Sequence, residues 1–393
     1  MTAPAMAATG QGAPTTKAPA NGKQVQIAVR PFPAGTREVD KATYDPGARA
    51  LTANTQDLPS YECDPNGFLR GAYILVECTA SGNSAAVAFQ PDAPQNVIDT
   101  ITFNDVNNKP IVGPMGGHDL YEAIKFGGYT GCDDSKSSVI YSVTTGTGAT
   151  GGSFTFALRL PVEIVKRDAL GSLPNKSASA TFTINIRLAA LATVYSTQPT
   201  AAPTVRVRIQ QFGWMDPNGT DMRGNPVAQN PPGVQTTQYW SKQTYNINSG
   251  AFNIRLLGLD SLIRNFIFIL LDSTPSRQTG DSDFPDPFAM IYETAQPIQR
   301  LKTIWRHMIA EQFRYKNAVE TADGRDYGVY PVSYCQDMTE TAGQETRLNY
   351  LPCSSGTTVS INGTIGGSGA HTLIVLVNKI VPANGDPLVL TGR

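Results

Sequence analysis

Residues 280–287, GDSDFPDP, crowd three aspartates into one loop. Carboxylates at near-alternate positions are the hard oxygen donors that calcium takes, which makes Asp281, Asp283 and Asp286 the candidate metal ligands of the chain. A calcium loop needs glycine at its sixth position and a bidentate carboxylate at its twelfth. Counted from Asp281, those positions hold Asp286 and Tyr292. The same residues suit a helix start, with Asp286 as N-cap and Pro287 in the first turn, and the cap is the favoured reading.

Other chemistry-bearing types are sparse. GTGATG (146–151) has the G-x-G-x-x-G spacing that cradles phosphate, but such a loop works only between a strand and a helix N-terminus. The strand pattern SFTFALRL follows it, so the glycines read as a connection between strands. His118, His307 and His371 show no metal-ligand spacing, and nothing singles out a Ser-His-Asp set or a pair of glycosidase carboxylates. Cys63, Cys78, Cys132, Cys335 and Cys353 are widely spaced with no C-x-x-C pair, which argues against zinc ribbons and thioredoxin-like chemistry and for buried free thiols in a reducing compartment. The expectation is a protein without catalytic residues or cofactor.

What remains is architecture. The 393 residues carry a net charge of −1, and only 16% are charged, against ~25% in a typical chain. A neutral chain lacks the basic field of a nucleic-acid coat, so no specific nucleic-acid partner is expected. The 36 glycines and 28 prolines, with abundant Thr, Ser, Asn and Val, favour short strands joined by tight turns. LIRNFIFILLD (262–272) is the most apolar stretch, yet a membrane helix takes about 20 apolar residues, and no signal-peptide pattern opens the chain. A soluble protein made without export is expected.

Residues 1–22 hold one charge and no aromatic residue, the composition of a flexible arm. Alternating strand patterns follow at QVQIAVRPF (24–32), GFLRGAYILVEC (67–78), NVIDTITF (96–103), FTFALRL (154–160) and SATFTINIRL (179–188), with one short helix at DLYEAIKF (119–126). After the Pro/Ala-rich STQPTAAPT (196–204), TVRVRIQQF, LIRNFIFILLD, TVSING and HTLIVLVNKIV repeat the style. The order of features also repeats. QVQIAVRPF matches VRVRIQQF, and FLRGAYILVEC matches LIRNFIFILLD with Arg70 opposite Arg264. ALRLP matches LNYLP, and SATFTINIR matches GAHTLIVLV. Shared order signals duplication. The expected fold is all-β: two tandem eight-stranded jelly-roll sandwiches with short helices in inter-strand loops. The divisions are an arm at 1–22, a first unit at 23–197, a linker at 198–204 and a second unit at 205–393.

A long helical candidate runs from Pro287 to about Lys316, interrupted at Pro297. Ile298, Leu301, Trp305 and Met308 form its apolar stripe, and Arg300, Lys302, Arg306, Arg314 and Lys316 a basic surface. Such a helix covers the open end of a sandwich with its stripe inward, or meets acidic neighbours or lipid head groups.

The two-unit plan over residues 23–393, carried locally by FLRGAYILVEC and LIRNFIFILLD, resembles the double jelly-roll major capsid proteins of tailless, membrane-containing phages, the tectivirus-like group related to adenovirus hexon. The resemblance implies a homotrimeric, self-assembling capsomer, made in the host cytoplasm and tiling the icosahedral shell of a virion. Its partners would be neighbouring capsomers, penton and minor capsid proteins and an internal viral membrane, with the arm as an assembly element. Two rivals stand beside it. One is a carbohydrate-binding or carbohydrate-active β-sandwich, for which Trp214, Trp240 and Trp305 are the candidate platforms; the other is a spike or fibre subunit.

Overall fold

The computed structural model describes residues 32–129, 136, 138–165, 169–217, 220, 222–224, 236–272, 282–313, 327–335, 349–354 and 356–382. The expected arm at 1–22, the QVQIAVR strand, Cys132, Asp281, Arg314 and Lys316 lie outside them.

The first sandwich is built from β1 (Glu38–Tyr44), the short β2 (Gln56–Asp57) and β3 (Tyr61–Glu62), β4 (Gly67–Thr79), β5 (Ile98–Asn104), β6 (Pro110–Met115), β7 (Phe154–Pro161), β8 (Thr183–Leu188) and β9 (Thr204–Trp214). One sheet runs β1-β9-β4-β7 and the other runs from β2 and β3 through β8 and β5 to β6. This is the order of a jelly roll, in which first and last strands pair and successive strands cross between sheets. Alternation drives it. Along β9, Val205, Val207 and Ile209 are buried while Arg206 faces out beside Asp45.

The second sandwich reaches the same order with fewer, longer segments: β10 (Thr237–Leu256), β11 (Leu262–Leu271), β12 (Phe288–Tyr292), β13 (Ala295–Arg300), β14 (Val329–Ser333) and β15 (Val359–Val381). β10 and β15 each serve both sheets. Residues 237–248 pair with 370–381 beside β11, and residues 250–256 pair with 359–365 beside β12. The register breaks between Asn248 and Gly250, where φ is +111°, and Gly367 has φ +67° on the partner strand. Positive φ suits glycine, so both strands bend there from one sheet into the other.

Several expectations give way. TVRVRIQQF, assigned to the second unit, is β9 and hydrogen-bonds to β1 and β4. A jelly roll's opening and closing strands lie side by side and carry the same alternation, so pattern alone confuses them; we place the division after Trp214. The counterpart of TINIRL is therefore the first part of β15, not HTLIVLV. The counterpart of Leu351–Pro352, which pairs with Ile263 and Leu262, is Leu173–Pro174, which pairs with Leu69 and Phe68. The first half of the 287–316 helix is the hairpin β12–β13.

With the eight strands of a jelly roll lettered B to I in chain order, β11 is the D strand of its sandwich, as β4 is of the first, and both carry the same irregularity. The register slips by one residue at Arg70 against β9 and at Arg264 against β15. Beyond the bulge the outer faces differ. Tyr73 is 44% exposed, whereas its counterpart Ile267 is 0% exposed. Ile267→Asp should cost more than about 4 kcal/mol in denaturant unfolding, and Tyr73→Asp in dilute solution about 1 kcal/mol or less.

Candidate functional site

Of the three loop aspartates, Asp283 and Asp286 lie among the described residues, and they engage different partners. Asp283 Oδ2 lies 3.2 Å from Nε2 of His371, whose side chain is 2% exposed, and the Asp283 carbonyl accepts from Gly366 N at 2.9 Å. Asp286 does cap a helix, though not the one expected. Its Oδ1 accepts from the backbone N of Lys302 at 3.0 Å, the first residue of helix α2 (Lys302–Phe313), which follows helix α1 (Gly117–Phe126) in chain order. Among the described residues no His, Cys, Asp or Glu group is arranged to hold a metal ion. Gly146–Gly148 is a strand paired with residues 83–87, which leaves the glycine motif without a following helix. Cys63, Cys78, Cys335 and Cys353 are buried thiols, and burial pushes the Cys63 thiol up to about 12.

The densest polar chemistry lies on the seam between the sandwiches. Helix α1 (Gly117–Phe126) follows β6 and is buried at all ten positions. Its N-terminus is closed by Asp119, whose Oδ2 accepts from Gly116 N at 3.1 Å. The same oxygen accepts from Lys242 Nζ of β10, in the second unit, at 2.7 Å. At the other end the Gly127 carbonyl accepts from Arg264 Nη1 of β11 at 3.1 Å. A carboxylate at the N-terminus and a cation at the C-terminus both match the helix dipole. The second unit therefore grips the first unit's helix at both ends.

Arg264 is fully buried, with its guanidinium 5.6 Å from the Tyr129 ring centre. Next to it, Gln238 of β10 donates to the Val162 and Glu163 carbonyls at 3.0 and 3.2 Å, and accepts from the Tyr129 hydroxyl at 2.8 Å. Asn378 of β15 completes this network by donating to Gln238 at 3.0 Å. The apolar part of the seam is Phe126 against Phe313, ring centres 5.3 Å apart, and α1 packed on β11. That cover is the reason LIRNFIFILLD is apolar on both faces. Phe266 and Phe268 point into their own sandwich, and Ile267 and Ile269 point the other way, all four buried.

Arg70, the counterpart of Arg264, stays inside its own unit. It reaches both oxygens of Glu163 at 3.0–3.1 Å, Glu38 at 2.6 Å, and lies 4.2 Å over the Trp214 ring. Burial raises the Glu163 carboxyl above its ordinary value, while Arg70 pulls it the other way. Glu163 also accepts from Trp214 Nε1 at 3.3 Å.

Helix α2 corrects the predicted stripe. Trp305, Ile309 and Phe313 face inward, with the Trp305 ring against Phe268, Phe284, Phe288 and Tyr330. Leu301 and Met308, expected inside, are 52% and 38% exposed, and Ile304 beside them is 54% exposed. The basic residues pack locally: Arg300 lies over Trp305, and Arg306 lies over Tyr330 and donates to the Val329 carbonyl at 3.0 Å.

With this geometry in place, solved structures of the same build can be compared. The chain is similar to the STIV MCP, at TM-score 0.59 and 10% identity over 88% of this chain and 97% of that one. It is similar to a chain in the atomic structure of Sulfolobus turreted icosahedral virus, at TM-score 0.60 and 10% identity over 90% and 93%. A chain of the PBCV-1 virus capsid matches at TM-score 0.55 and 11% identity over 91% and 96%. No family model matches the chain, and no curated protein matches it in sequence. At such identities the likeness is one of fold. The fold is the double jelly roll, all-β with short helices between strands, as the sequence implied.

The seam predicts unequal costs for its two cations. Arg264→Ala leaves a buried carbonyl without its donor and should lower stability by about 3 kcal/mol. Lys242→Ala, at a partly exposed pair, should cost under about 1 kcal/mol. Urea unfolding of the two variants measures the difference.

Proposed function

We propose that this chain is a viral major capsid protein, a structural subunit whose work is self-association into a shell. The observation that supports this best is the match of both sandwiches at once. The likeness covers about nine-tenths of this chain and nearly all of each capsid chain compared, so what is shared is the complete two-unit frame. On this reading the protein acts mechanically and is not an enzyme. It forms a homotrimer of six sandwiches, and trimers tile an icosahedral virion shell, where penton and minor capsid proteins and an internal viral membrane are its further partners. Among the described residues no helix is long and apolar enough to cross a membrane. The arm at 1–22 is proposed as an assembly element.

The carbohydrate alternative needs exposed aromatic platforms. Trp240 and Trp305 are 1% exposed and Trp214 8%, so no tryptophan supplies one. Trp305 fills the core of its sandwich and Trp214 lies under Arg70. The spike or fibre alternative needs an elongated stem of shorter repeats, and the described strands instead form two sandwiches of equal plan.

The purified chain should run as a particle of three times 42.1 kDa in sedimentation or native mass measurement, and electron microscopy should find shells under assembly conditions. A stable monomer that binds glycan would overturn the reading. Deletion of residues 1–22 should leave the trimer intact and impair shell formation; loss of the trimer would contradict the role given to the arm.

A further inference from the structure

The two sandwiches present the same pair of surfaces, and only one pair is joined within the chain. Each has an outer sheet face centred on its bulged D strand, and each has a helix at the same place in the strand order, α1 between β6 and β7 and α2 between β13 and β14. The second unit's sheet face, at Arg264 and Ile267 of β11, is covered by the first unit's helix α1. The two remaining surfaces are the first unit's sheet face, at Arg70 and Tyr73 of β4, and the second unit's helix α2. Both are exposed where their counterparts are buried. Tyr73 is 44% exposed, stacked on Phe212 with ring centres 5.1 Å apart. Ile304 and Met308 of α2, with Leu301 just before its first residue, form an apolar row at the i, i+3, i+7 spacing of one helix face. A row of that kind on a charged helix marks a contact surface.

We propose that helix α2 of one chain seats on the β4 face of a second copy, with Leu301, Ile304 and Met308 against Tyr73 and Phe212. The proposal rests on the trimeric capsid reading and names its seam. The occupant is fixed by the internal precedent, because the same helix position already covers the same sheet face inside the chain. Charge fits in reversed sign. Inside the chain the sheet supplies the cation, Lys242, and the helix the anion, Asp119. On the sheet, Arg70, Arg206 and Arg208 are paired within their own unit with Glu38, Asp45 and Glu77, which leaves exposed Asp40 as the anion to meet Lys302 and Arg306 of the helix. Such a head-to-tail contact generates a ring when its rotation closes.

The test uses two full-length variants, Ile304→Asp on the helix and Tyr73→Asp on the sheet. Each should fold, as circular dichroism and the denaturation midpoint of the monomer will show. Each should need at least about 100-fold higher concentration than the unmodified chain to assemble. Mixed in equal amounts they should form a heterodimer and stop there, because one working helix and one working face remain and can meet once. Variants that assemble like the unmodified chain, or a mixture that gives no heterodimer at its highest soluble concentration, would overturn the proposal. An unmodified chain that stays monomeric would overturn the capsid reading itself. Should a variant fail to fold, benzoylphenylalanine at Met308 gives the answer without perturbing the seam. Capture of residues 68–78 of another chain supports the contact, and capture elsewhere contradicts it.

Discussion

A strand with two apolar faces cannot stand at the surface, and β11 is such a strand. Its inner face, Phe266 and Phe268, is satisfied by its own sandwich, but Ile267 and Ile269 require a second cover. Each such side chain is worth about 1.5–3 kcal/mol buried, so leaving the outer face wet would cost a sizeable part of a domain's stability. The first unit supplies the cover with helix α1. The second sandwich is therefore complete only in the presence of the first, and the relative placement of the two becomes a consequence of burial.

Polar groups convert that burial into a single registration. Apolar faces slide with little penalty, whereas Arg264 has its donor on one carbonyl, that of Gly127, and Gln238 bridges the Val162 and Glu163 carbonyls. A shift along the seam would strand these groups in a dry environment, each at about 1–3 kcal/mol. The contrast with Arg70 follows from the same rule. A guanidinium at a bulge beneath a sheet face needs a partner. In the first unit Glu163 supplies it locally, so that face depends on no other unit for its charge. The two sandwiches thus share a frame and differ in what they ask of a neighbour.

How much of this was readable in the residues varied by element. The match of FLRGAYILVEC to LIRNFIFILLD was legible because the D strands keep Arg70 and Arg264 in the same frame, and the structure gives both the same bulge. Extra cover on the outer face of 262–272 was legible too, since continuous apolarity in a strand means two covered faces. The place of TVRVRIQQF was not, because strands that pair side by side carry the same alternation. Residues 288–300 read as a helix and fold as a hairpin, since short apolar runs do not separate the two by period. Residues 301–313 carry two apolar rows, Trp305-Ile309-Phe313 and Leu301-Ile304-Met308, and period alone cannot say which turns inward. The bulk of Trp305, fitted among Phe268, Phe288 and Tyr330, decides it. Asp286 was legible as a cap by its chemistry, but the helix it caps begins at Lys302, a placement that only the folded hairpin creates.

Side by side, the covered β11 face and the uncovered β4 face describe a molecule with one seam closed and its equivalent open. Electron cryomicroscopy of the assembled protein, at a resolution that shows side chains, tests this most directly. Residues 301–308 should lie on residues 68–78 of an adjacent chain, with Ile304 against Tyr73, repeating the fit of α1 on β11. A particle in which that helix faces solvent or lipid, and chains join through another surface, would contradict it.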